Sequence, residues 1–198
     1  MNYLAHAYLS FGNQEILAGN MISDFVKGKK KFDYPEKIHK GIILHREIDR
    51  FTDNHHTTKL AKEIFRPVYR LYSAAFVDVV YDHFLATDEE LFTDESLRLF
   101  TEEVYSMLSR SLKIFPEKFS GMFPYMQSQN WLYNYRFRWG IEKSFGSLVR
   151  RAAYIEESDT AFALFNENYE LLKIYSRDFI HSVIPYARNY FLQLLKES

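Results

Sequence analysis

The sequence predicts an all-α protein, built as a single-domain helical bundle. Two observations carry that expectation: 7 Gly and 5 Pro punctuate 198 residues, too few breakers for many short strands, and apolar side chains recur with the 3.6-residue period of a helix along most of the chain. The elements follow in order. A first helix is expected at about 14–28, where Met21, Ile22, Phe25 and Val26 surround Asp24. A second, at 36–54, starts after Pro35, with Asp33 or Tyr34 before it, and carries a stripe of Ile38, Ile42, His45, Asp49 and Thr52. A third spans 58–87, apolar nearly all round towards its end, and Pro67 should kink or split it. Thr93–Asp94 starts a fourth at 94–114. Helices at 117–127, 141–155 and 158–195 complete the series, the last with Phe165, Tyr169, Phe179 and Tyr186 as core and with Pro185 as a second kink or break. The stretches near Pro116, near Pro124 and over 128–140 are expected to be irregular. No repeat or linker divides the chain, so residues 1–198 are taken as one domain.

Composition narrows the function classes. Hydrophobic residues are 47% and charged residues 26%, ordinary for a globular protein, whereas aromatics reach 18%. A net charge of −1 argues against nucleic-acid binding driven by bulk charge. The absence of cysteine excludes a disulfide scaffold, a thiolate zinc site and a cysteine nucleophile. The opening MNYLAHAYLSFGNQE lacks a basic leader pattern, and no run of 18 apolar residues occurs, so a cytoplasmic protein that does not enter membranes is the expectation.

The segment FVDVVYDHFLA, residues 76–86, sets Asp78, Asp82 and His83 among residues that demand burial. Helical spacing aligns Leu71, Ala75, Asp78 and Asp82 along one face of the third helix, with His83 set to one side. A buried carboxylate is costly unless it is paired or binds a metal, and like charges at i, i+4 repel. Partners are available elsewhere. On the second helix His45 and Asp49 lie on the core stripe with Arg46 at its edge; Asp24 and His6 sit in apolar surroundings. Imidazole and carboxylate without thiolate suit Mn²⁺, Fe²⁺ or Zn²⁺, and Mg²⁺ where oxygens dominate. Plainer roles stand beside these: a structural hydrogen bond for His6, a loop contact for Asp24, an on-helix pair for His45 and Asp49, a salt bridge from Arg46 to Asp82 or Asp78. His39, His55 and His56 read as surface or loop residues.

The stretches MNYLAHAYLS, GNMISDFVKG, GIILHREIDRFTDNH, DVVYDHFLA and NWLYNYR, in order from Met1 to about Arg136, resemble the acyl carrier protein phosphodiesterase family. The resemblance implies hydrolysis of the phosphodiester joining 4′-phosphopantetheine to a serine of holo-acyl carrier protein, with a divalent metal, typically Mn²⁺. It also implies kinship with the HD-domain phosphohydrolases, helical enzymes that hold a metal with an H…HD…D set, and so an HD-like bundle. No His-Asp dipeptide occurs here; Asp24, His45 and Asp82-His83 form a cyclic permutation of that order with the dipeptide reversed. The expected ligands are Asp24, His45, Asp82 and His83, with Asp49, Asp78 and His6 as substitutes.

Roles follow for the remaining residues. Asp49 would orient a ligand or take a proton from the attacking water, Arg46 would grip phosphate with its planar fork, and His6 would protonate the leaving serine oxygen. Acyl carrier proteins are acidic, so the basic run Lys27, Lys29, Lys30 and Lys31 beside Asp24 is the expected docking surface, with Arg150 and Arg151 as a second candidate; a solvated loop is the plainer reading of such a run.

Overall fold

A computed structural model describes residues 1–196, which form eleven α-helices and no strand. The first, α1 (Tyr3–Tyr8), has no counterpart among the expected helices. It ends in a tight turn where Phe11 and Gly12 both take positive φ, 50° and 72°. Asn13 then caps α2 (Gln14–Ile22), its side chain accepting the Ile16 N–H at 3.1 Å. The expected continuation to residue 28 is replaced by two 3₁₀ turns, Ser23–Phe25 and Gly28–Asp33, the second opening on Gly28 at φ 59°. α3 (Glu36–Asn54) matches its expected bounds.

The third expected helix is two, α4 (His56–Tyr69) and α5 (Ser73–Ala86), joined by a 3₁₀ turn. The break falls three residues after Pro67, at Arg70, whose φ of 48° no helix tolerates. α6 (Asp94–Ser109) starts at a reciprocal cap between Thr93 and Ser96, and a 3₁₀ turn, Leu112–Ile114, follows it. α7 (Glu117–Ser128) begins after Pro116 and contains Pro124. The stretch expected to be irregular holds a single turn of helix, α8 (Trp131–Asn134), and α9 (Arg138–Arg151) comes next. The long C-terminal segment divides at Asn168 into α10 (Asp159–Glu167) and α11 (Tyr169–Lys196), and α11 runs through Pro185. Asn168 turns its amide back onto the Leu164 carbonyl at 2.9 Å, a local bond that competes with helix continuation.

Packing is dominated by aromatics. Tyr81 of α5 stacks on Phe179 of α11 with centroids 4.2 Å apart, and Phe65, Phe76 and Phe145 join α4, α5 and α9. One helix crossing has a special closeness. α2 and α3 meet backbone to backbone at Gly19 and Gly41: a Cβ built on Gly19 would lie 2.0 Å from the Ile38 carbonyl oxygen, and one on Gly41 2.2 Å from that of Ile16. Only glycine admits this approach. It brings the end of α2 alongside the turn of α3 that carries His45, while α1 packs across both α2 and α5.

Candidate metal centre

Four side chains from three elements converge where α1, α2 and α3 meet. His45 lies one helical turn beyond Gly41, next to the closest approach of α2. Its Nδ1 is 2.8 Å from the Asn20 carbonyl oxygen, which can only accept, so Nδ1 carries a proton. That bond fixes the ring and turns Nε2 towards Asp24 Oδ1 at 3.2 Å and Asp49 Oδ2 at 3.1 Å. Asp49 is one turn further along α3, and Asp24 belongs to the 3₁₀ turn after α2. From α1, the His6 ring stacks on His45 with centroids 3.9 Å apart and planes 13° from parallel. Its Nε2 lies 3.3 Å from Asp49 Oδ1.

The electrostatics are those of a site that collects positive charge. Burial disfavours the imidazolium of His45, yet hydrogen bonds to Asp24 and Asp49 outweigh it and raise its pKa to about 9. His6 is buried against that cation and falls to about 4, so it is neutral at pH 7. Burial pushes Asp49 up, but the Met1 ammonium and the two imidazoles hold its carboxyl far below the usual range. Asp24, more exposed, is also lowered, chiefly by its bond to His45.

The donor set suits a divalent cation. His6, His45 and Asp49 each offer one ligand atom, all within 4.8 Å of one another. Both ring nitrogens of His6 are buried without a well-formed hydrogen bond, an arrangement that buried polar atoms avoid unless something else is to be bound. His45 has its second nitrogen anchored to a backbone carbonyl, the usual support of a metal-binding imidazole.

Asp82 and His83, expected as ligands, have other partners in the fold. Asp82 is fully buried and uses both oxygens on the backbone of α1, accepting from Leu4 N at 2.7 Å and Ala5 N at 3.2 Å. His83, displaced by 100° along α5, points the other way, with Nδ1 2.7 Å from the Tyr135 carbonyl oxygen and Nε2 2.9 Å from the Tyr169 hydroxyl. Burial lowers its pKa to about 4. Both therefore have structural partners, and a cation is not needed to account for them. Asp78 pairs with the Met1 ammonium at 2.9 Å, which relieves the repulsion along α5. The expected alignment of Leu71 with these carboxylates fails, because Leu71 is outside α5 and 95% exposed.

Arg46 donates to the Val26 carbonyl oxygen at 2.9 Å and forms no ion pair with Asp78 or Asp82; it stands exposed beside the loop that follows Asp24. Lys27, Lys29 and Lys30 are exposed on that loop, and Lys31 sits 5.0 Å from the Phe32 ring centre. No ion pair holds any of the four among the described residues.

The acyl carrier protein phosphodiesterase family model matches residues 1–183. The chain belongs to the acyl carrier protein phosphodiesterase family. Curated relatives carrying that name include one from Klebsiella pneumoniae, 31% identical over 194 residues and covering 96% of this chain and 98% of the relative. Others come from Enterobacter sp., 30% identical over 190 residues, and Serratia proteamaculans, 29% identical over 190, each with 96% and 98% coverage. No solved structure matches. For this family member no helix among the described residues is long and apolar enough to cross a membrane.

One contributor to the site has no mark in the sequence pattern. Asn20 acts through its backbone carbonyl, which no side-chain pattern reveals.

Proposed function

We propose that this chain hydrolyses the phosphodiester linking 4′-phosphopantetheine to a serine of holo-acyl carrier protein, giving the apo-protein and free phosphopantetheine, in the cytoplasm and with a divalent cation. Mn²⁺ is the favoured ion, with Mg²⁺ or Fe²⁺ as alternatives for the same donors. The observation that carries this reading is that His6, Asp24, His45 and Asp49, taken from three separate motif stretches, meet at one point in a chain that matches the family over residues 1–183. Kinship with the HD phosphohydrolases is part of the proposal, supported by the helical scaffold and the mixed imidazole and carboxylate set.

In this reading His6, His45 and Asp49 would hold the cation, in place of the expected quartet that included Asp82 and His83. A cation held there would neutralise phosphoryl charge and lower the pKa of a coordinated water. Asp24, the most exposed of the four, faces the open side and accepts a proton from the attacking water. His6, expected to act as the acid for the serine oxygen, is neutral at pH 7 and takes the ligand role instead, and the proton that Asp24 takes from the water passes on to the leaving serine oxygen. Arg46 offers its guanidinium to a phosphate oxygen at the rim. Lys27, Lys29, Lys30 and Lys31, on the loop leading away from Asp24, meet the acidic surface of the carrier and bring the scissile bond to the cation.

The test is mass spectrometry of holo-carrier incubated with the protein and Mn²⁺. Loss of the prosthetic group, prevented by chelator, is the expected result. An unchanged carrier alongside hydrolysis of a nucleotide would overturn the assignment in favour of a nucleotide phosphohydrolase.

A further inference from the structure

The first turn of α1 is held from another helix. α1 has only six residues, too short to hold its shape alone, and Asn2 at its N-cap makes no capping bond with its side chain. The N–H groups that a cap would satisfy, on Leu4 and Ala5, are taken by Asp82 at 2.7 and 3.2 Å from the fully buried interior of α5. A carboxylate is also the charge a helix N-terminus favours. Just beyond those two residues stands His6, whose own carbonyl oxygen is held by Ser10 Oγ at 2.8 Å and Asn20 Nδ2 at 2.9 Å. The backbone on both sides of His6 is thus pinned, and Asp82 supplies the pin on the N-terminal side.

We infer that Asp82 is a positioning residue, a capping group delivered from α5 that fixes α1 so that the His6 ring stays stacked on His45 and aimed at Asp49. The residue that looked like a ligand in the sequence acts instead through the backbone that carries one. A ligand that must be ordered on binding loses affinity by the cost of ordering it. Removing the cap frees the first turn of α1 and moves His6 off the common focus, while the α2–α3 crossing and the His45–Asn20 bond remain.

The consequence for metal affinity rests on the reading of His6 as a ligand; the consequence for the His6–His45 contact does not. The experiment therefore reads both. Imidazole proton and nitrogen NMR of the metal-free protein reports the ring contact, and Mn²⁺ titration reports affinity, for the wild type, Asp82→Ala, Asp82→Asn and Phe145→Leu. Asp82→Ala is expected to lose the ring contact and to weaken Mn²⁺ binding by about 10–100-fold, the range seen when outer supports of a metal ligand are removed. Asp82→Asn, with one acceptor oxygen for two N–H donors, should fall between. Phe145→Leu, in the aromatic core of α9, should lower the melting temperature and leave both readouts unchanged. Ring contact and affinity retained in Asp82→Ala, or in Asp82→Asn where the alanine variant does not fold, overturn the inference. Loss of ring contact in a protein whose wild type binds no Mn²⁺ would keep Asp82 in its role and refute only the metal reading.

Discussion

At the scale of single residues, His45 is the hinge of the site because it is charged by the carboxylates that a cation would otherwise satisfy. His45→Ala should reduce Mn²⁺ affinity by more than the about 10–100-fold typical of a supporting residue, and Asp24→Ala should lower kcat by about 10²–10⁴-fold while Mn²⁺ still binds. Full turnover in either variant would show that the centre is elsewhere. Stability without metal should also depend on pH in a defined sense. The folded-state pKa of His45, about 9, lies above its ordinary 6.5. Its contribution is therefore complete below pH 6.5 and is lost as pH rises through 9. The Met1 ammonium, raised to about 11, adds the same trend only above pH 8. The melting temperature of the apo-protein should fall between pH 6.5 and 9, and His45→Gln should flatten that slope; a wild-type curve level over this window would refute the pairing.

At the scale of elements, the glycine crossing of α2 and α3 decides the distance between Asp24 and His45. Gly41→Ala places a methyl group 2.2 Å from the backbone oxygen of Ile16, and backbone cannot step aside as a side chain can. Such overpacking costs about 1–3 kcal/mol, and the separation it forces should also lower activity. Gly121→Ala on the exposed face of α7 meets nothing within 4 Å and should instead stabilise by about 0.4–1 kcal/mol. Urea midpoints of the two variants, moving in opposite directions, are the check; a shared direction would mean that the crossing is looser than described. The same scale explains where helix boundaries depart from expectation. Prolines 67 and 185 are the visible breakers, but each lies inside a helix. The real breaks at Arg70 and Asn168 come from backbone dihedrals and a local side-chain bond, neither of which has a periodic signature.

For the whole molecule, one continuous core drawn from helices along the chain predicts a single cooperative thermal transition and a circular dichroism spectrum without strand character. Two resolved transitions would contradict the one-domain reading. Carrier binding should depend on the charge of the Lys27–Lys31 loop. Replacing Lys29, Lys30 and Lys31 together by Ala should raise KM for the carrier with little change in kcat, and should blunt the loss of affinity that salt causes in the wild type, since exposed charges are screened beyond about 10 Å at 0.1 M ionic strength. An unaltered salt response would remove the loop from the docking surface and leave the chemistry untouched.

The sequence by itself determined the helical class, the bounds of α3 and the residue types of the site, because 3.6-residue periodicity and the scarcity of glycine and proline are local properties of the chain. It also placed His45 and Asp49 on one face of α3, since spacing along a single helix is enough for that. Which helices meet is not local. Asp82 and His6 carried the same signal, a polar group among apolar neighbours, and only the packing of α1 across α5 and α2 assigned the carboxylate to backbone N–H groups and the imidazole to the cluster. A buried charge announces in sequence that it has a partner; the tertiary structure decides which partner, because that depends on distances between elements far apart in the chain.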